Sequence, residues 1–158
     1  MVLAMEEGAI NQGLDEGLFK VLLRTVQEMP ALKNLNISLK RISPGRVVFE
    51  MDIGPGYSNT IGTAHGGVIA SLADTAMGYA GISLDQMLVT LEMNLNYFAT
   101  VKVGERVIAE AEVIYAGKKT VVAEAGIYDS RRRLVAKSRG TYSPVGRLTE
   151  IGPGLLSR

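Results

Sequence analysis

The 158-residue sequence has no cysteine, no tryptophan and a single histidine, His65. Without cysteine there is no disulfide, no thiol nucleophile and no thiolate metal site. A zinc site would have to rest on His65 and carboxylates, which is a poor donor set, so no metal is expected. Any mechanism that needs a histidine must use His65. An excess of charge of one sign is missing too. The 17 basic and 16 acidic residues leave a net charge of +1, which gives no general attraction to nucleic acid or to an anionic membrane. The opening MVLAMEEGAINQG lacks the basic start and long apolar run of a signal peptide. The most apolar window, 64–82, contains His65, Asp74 and four glycines, and so reads as a buried helix rather than a membrane span. A cytoplasmic location follows by default. Also lacking are a Gly-Lys-Ser/Thr phosphate loop, G-x-G-x-x-G, G-x-S-x-G and H-E-x-x-H.

What is present is an ordinary folding composition, 47% hydrophobic and 21% charged, in a length that suits one domain over 1–158. Leu14, Leu18, Leu22 and Val26 recur every four residues and predict an N-terminal helix over about 14–29, with Asp15 in its first turn and Pro30 as its stop. Strands follow at about 37–43 and 46–53, joined by Pro44-Gly45. The stretch 54–64 is a Gly/Pro/Ser/Asn loop, and 65–82 is helical, with Ile69, Leu72, Ala73, Ala76, Met77 and Ala80 on one face. Beyond it Val89, Leu91, Met93, Leu95 and Tyr97 alternate strictly with Thr90, Glu92, Asn94 and Asn96. Three more strands are expected at about 106–116, 119–129 and 133–143. The tail 144–158 reads as irregular. The order is α+β: an antiparallel sheet covers one face of an apolar helix, whose other face needs a second cover.

That helix carries the chemistry. On a wheel, Asp74 lies opposite the large apolar residues, among Gly67, Ala70, Ser71, Gly78 and Gly81. The ordinary reading of the wheel alone is a solvent-facing Asp. At the helix start, Gly62-Thr63-Ala64-His65-Gly66-Gly67 leaves the first N–H groups open to an incoming oxyanion or phosphate. Gly66 and Asp74 are eight positions apart, roughly 12 Å along a helix. One reacting atom cannot touch both within a chain. If both act at one centre they come from two chains, which suggests a symmetric dimer with two equivalent shared sites.

The pattern Asn59-x5-His65-Gly66-Gly67-x4-Leu72-x-Asp74, followed by Thr90-Leu91-Glu92-Met93-Asn94-Leu95-Asn96-Tyr97, resembles the signature of the hotdog-fold acyl-CoA thioesterases, in their PaaI-like branch. The resemblance covers about 37–143. It implies a hotdog fold: an antiparallel sheet wrapped around a long central helix, here with an extra N-terminal helix. It implies a homodimer, paired further into a dimer of dimers, that hydrolyses an acyl-CoA to a free acid and CoA without cofactor. In that family Asp74 would be the catalytic carboxylate, as general base or nucleophile. The Gly66 N–H would polarise the carbonyl, His65 and Asn59 would support the carbonyl and the sulfur side, and Thr90 would orient water.

CoA carries phosphates, so basic residues at the mouth are expected. Gly117, Lys118 and Lys119 at a hairpin tip, Gly67, and Tyr97 with the nearby Lys102 are the binding candidates. Arg131, Arg132 and Arg133 read as a solvated turn, and Met77, Met87 and Met93 are candidates for an acyl pocket. A non-catalytic acyl-CoA-binding or regulatory module on the same fold is the alternative, against which the intact Asp74 argues. A hydratase is disfavoured because the only histidine precedes the aspartate.

Overall fold

The computed structural model describes residues 8–155; residues 1–7, which hold half of the opening stretch, and 156–158 of the tail lie outside the described residues. The chain builds one seven-stranded sheet in the order β1-β2-β3-β5-β6-β7-β4. Strands β2 (Ile37–Ser43) and β3 (Arg46–Asp52) form the first hairpin, and β4 (Met87–Tyr97), β5 (Arg106–Ala116), β6 (Val121–Asp129) and β7 (Leu134–Gly146) follow the long helix. All these pairings are antiparallel; only the two-residue β1 (Ile10–Asn11), which the alternation rule is too coarse to detect, joins parallel, to β2.

Helix α1 spans Glu16–Glu28 and buries Leu22 and Val26. Asp15 lies one position outside it, where its carboxylate accepts from the N–H groups of Gly17 and Leu18 and caps the helix. Pro30 does end α1, but it also opens a short α2 (Pro30–Leu35), because a first helical position tolerates the missing N–H.

Helix α3 (Gly66–Ile82) packs on β3, β4, β5, β6 and β7. Its apolar face, including Ile69, Leu72, Ala73, Ala76, Met77 and Ala80, is buried against the inward side chains of the sheet, among them Phe49, Val107, Ala123 and Ile127. Part of the small-residue face is used within the chain. A Cβ on Gly78 would stand 3.8 Å from Tyr142, and one on Gly81 would overlap Leu88. Gly67, Ala70, Ser71 and Asp74 keep solvent contact.

Two expectations need correction. The first is the strict alternation of β4. Its pairing with β7 slips between Thr90 and Glu92. Such a bulge adds one residue and reverses which side chains face the core. Leu88 and Thr90 therefore point to α3 before the slip, and Met93, Leu95 and Tyr97 after it. Val89 and Leu91 are left 52% and 61% exposed. Thr90 does not share a face with Glu92, Asn94 and Asn96.

The second is the tail. β7 continues to Gly146, and 148–155 is a helix, α4 (Leu148–Leu155), set against α1. Asp85 anchors it: one carboxylate oxygen accepts from Thr149 N–H at 2.9 Å, and the other from the Thr149 hydroxyl and the Arg147 guanidinium. Leu148 is fully buried. These tertiary ties override the breaker signal of Gly152, Pro153 and Gly154.

Candidate active site

The loop before α3 is held from three sides. His65 N–H donates to Tyr57 O and Ala64 N–H to Val101 O, each at 2.8 Å. Asn59 spends its amide inside the loop: Oδ1 accepts from the N–H groups of Ile61 and Thr63, and Nδ2 donates to Thr63 Oγ1. His65 is the N-cap, with Nδ1 accepting from Gly67 N–H at 2.9 Å. Nδ1 therefore carries no proton, and the ring offers Nε2 to its surroundings. Gly66 is the first helical residue, so its N–H has no intrahelical acceptor and lies at the positive end of the helix. The Tyr97 hydroxyl donates to Gly66 O at 2.6 Å, and a Cβ on Gly66 would stand only 3.2 Å from that hydroxyl. Glycine is what lets Tyr97 clamp the helix start. Partial burial raises the Tyr97 phenol and keeps it a donor.

Asp74, eight residues further along α3, is half-buried. Its Oδ1 accepts from Thr90 Oγ1 at 3.0 Å and from the Tyr142 hydroxyl at 3.1 Å. Tyr142 also faces the Asp74 backbone carbonyl, at 3.4 Å. It is 1% exposed, and burial, reinforced by the Asp74 charge, pushes its phenol far up. The sheet register explains the meeting: Thr90 pairs with Tyr142, and Tyr142 with Val121. Val121 follows the β5–β6 turn, so Gly117 and the exposed Lys118 and Lys119 lie at the Asp74 end of the sheet.

The sequence candidates thus fall into two groups. Asn59, His65, Gly66, Gly67 and Tyr97 gather at the start of α3, together with Lys102, which bridges to Thr63. Asp74, Thr90, Gly117, Lys118 and Lys119 gather towards the other end. Tyr142 was missed; no spacing rule links a tyrosine on the last strand to a helix carboxylate. Two minor expectations change or narrow. Met77 is fully buried in the core, while Met87 and Met93 are only partly buried. Of the arginine cluster, Arg132 is paired with Glu110 and stacked on Tyr128, and Arg133 is paired with Asp129. Among the described residues no group of three or more His, Cys, Asp or Glu could hold a metal ion. An open groove of about 440 Å³ lies on the outer face of the sheet, lined by Arg41, Arg46, Glu110, Glu124 and Lys137, and holds none of the candidate site residues.

Residues 61–136 match the thioesterase superfamily. Human acyl-coenzyme A thioesterase 13 is 31% identical over 115 residues, which cover 66% of this chain and 77% of that protein. Among solved structures, the Escherichia coli PaaI protein of the phenylacetic acid degradation operon superposes with a TM-score of 0.81 at 26% identity, covering 85% of this chain and 98% of its own. A Streptococcus pneumoniae thioesterase solved with coenzyme A does so with a TM-score of 0.69 at 28% identity, covering 71% and 90%. The fold these relatives share is the hotdog fold expected from the sequence.

Proposed function

The chain belongs to the thioesterase superfamily and is a thioester hydrolase, and on that premise we propose that it hydrolyses acyl-CoA to a free acid and CoA, as one hotdog unit, with Asp74 as the general base. The observation that carries this reading is the 3.0 Å hydrogen bond from Thr90 to Asp74, which holds a half-buried carboxylate on an otherwise small-residue helix face beside a second oxygen that can bind water. The carboxylate takes a proton from water as that water attacks the thioester carbonyl. The oxyanion that forms needs N–H donors, and the start of α3 offers Gly66 N–H. His65 Nε2 can support the carbonyl or the sulfur, while the Asn59 amide shapes the loop that presents both. Lys102 and the Gly117-Lys118-Lys119 turn supply charge for the CoA phosphates, and Gly67 leaves room at the helix start.

Asp74 and Gly66 lie roughly 12 Å apart along one helix, so a single centre combines Asp74 of one chain with Gly66 of another. The open edge of β4 supports such a pairing. It is 11 residues long, ends the sheet, and exposes Val89 and Leu91. We therefore place two equivalent sites in a homodimer.

The test is turnover of a panel of aromatic, short-chain and medium-chain acyl-CoAs, read as thiol release. The chain has no cysteine, so a thiol reagent reports released CoA alone. Asp74→Asn is expected to lose about two to four decades of kcat while still folding and binding CoA. Unchanged turnover in that variant would remove Asp74 as the base, whereas no turnover of any acyl-CoA by the parent chain would reduce it to a binding module.

A further inference from the structure

We propose that Tyr142 is a positioning residue: with Thr90 it ties up one oxygen of Asp74, Oδ1, and so dedicates the other, Oδ2, to the reacting water. This rests on the reading of Asp74 as the general base. Three observations carry it.

Both hydroxyls converge on the same atom, at 3.0 Å from β4 and 3.1 Å from β7, and among the described residues no donor reaches Oδ2. Two donors from different strands fix the carboxylate plane, where one would leave it free to rotate.

The Tyr142 side chain has its place prepared by Gly140, and it packs at ordinary contact distance over Gly78. A Cβ on Gly140 would stand 2.9 Å from the ring, and one on Gly78 3.8 Å from it. Gly78 is one helical turn beyond Asp74, so the ring lies in a slot along α3 that leads its hydroxyl to the carboxylate.

The tyrosine is buried and its ionisation strongly disfavoured, so it remains a neutral donor wherever the enzyme works. The hydroxyl has little to do with filling the core, since phenylalanine would fill the same slot. What it adds is direction to Asp74.

The experiment compares Tyr142→Phe, Gly140→Ala, Asp74→Asn and the double variant Tyr142→Phe/Asp74→Asn, using the acyl-CoA that the parent chain turns over fastest. Tyr142→Phe is expected to unfold at nearly the parental temperature. Its kcat should fall about ten- to a hundredfold, as for a lost hydrogen bond to a charged group, with KM unchanged. Gly140→Ala keeps the phenol but pushes the ring out of its slot, and should show the same split between kcat and KM. In the Asp74→Asn background the loss of the hydroxyl should cost nothing further, since the two act as one unit. Parental kcat in Tyr142→Phe alongside an inactive Asp74→Asn overturns the inference and leaves Asp74 as the base. A loss of equal size in both backgrounds also overturns it, by making the role of Tyr142 purely structural. Full turnover in Asp74→Asn removes the reading of Asp74 itself.

Discussion

His65 caps α3 through one ring atom and, in the proposed function, would serve the substrate through the other. Its Nδ1 is engaged as the helix cap; only Nε2 is free for chemistry. The tasks separate by substitution. His65→Ala removes both and should cost about 1 kcal/mol of stability, the usual worth of a cap. His65→Asn restores a side-chain acceptor at the cap, so its thermal midpoint should return to the parental value. Its kcat should stay about tenfold down, as for a lost hydrogen bond to a developing charge. Full recovery of kcat in His65→Asn would mean that the imidazole is a cap and nothing more. The glycine at 66 is legible in the sequence as an opening for an incoming group. Its second duty, making room for the Tyr97 hydroxyl, depends on a contact from 31 residues away and is invisible there.

Among the elements, β5 (Arg106–Ala116) and α3 (Gly66–Ile82) match their sequence reading almost residue for residue, because period and burial agree along α3 and along β5 as far as Ala111. β4 is legible as a strand but not in its facing. Its bulge falls at Leu91, with no glycine or proline to mark it, yet this slip lets Thr90 point at Asp74 while Tyr97 reaches Gly66. α4 is illegible because the group that anchors its first turn, Asp85, lies more than 60 residues earlier in the chain. Asp85 sits in the left-handed region, at φ 61°, which Asp tolerates better than most residues. Burial raises its carboxyl, but hydrogen bonds from Thr149 and Arg147 and the Arg147 charge outweigh that and hold it below its ordinary value of 3.8. The folded-state value is the lower one, so the clasp's contribution is complete above pH 3.8 and disappears as pH falls through the depressed value. Asp85→Ala should therefore speed amide exchange in α4 at neutral pH. Near pH 3 the stability gap between parent and variant should narrow. A gap that stays constant with pH would show that the ionised carboxylate is not what anchors the helix.

For the whole molecule, the prediction concerns subunits. Gly66→Pro deletes the N–H and crowds the Tyr97 hydroxyl, at a position where proline otherwise suits a helix and His65 already has the extended backbone that a following proline demands. Asp74→Asn deletes the carboxylate. Each variant alone should be nearly inactive. In a mixed dimer one site carries both defects and the other neither, so partial activity should return on subunit exchange. No return despite proven exchange would confine each site to one chain. The sequence spacing already suggested two chains for one centre, if Gly66 and Asp74 act together. Which edge of the sheet stands open could not be read there, since β4 is early among the later strands yet ends the sheet.

The two edges of the sheet are unequal, and this limits growth. The β4 edge is 11 residues long and carries no covering strand. The far edge, β2, is broken by its own bulge between Leu39 and Arg41 and is covered at Arg41 and Ile42 by the short β1. A pair joined through β4 by a twofold axis therefore presents only these blunted edges outward. In the proposed dimer, strand-to-strand addition would stop at two chains, giving a shared sheet that does not seed a fibre.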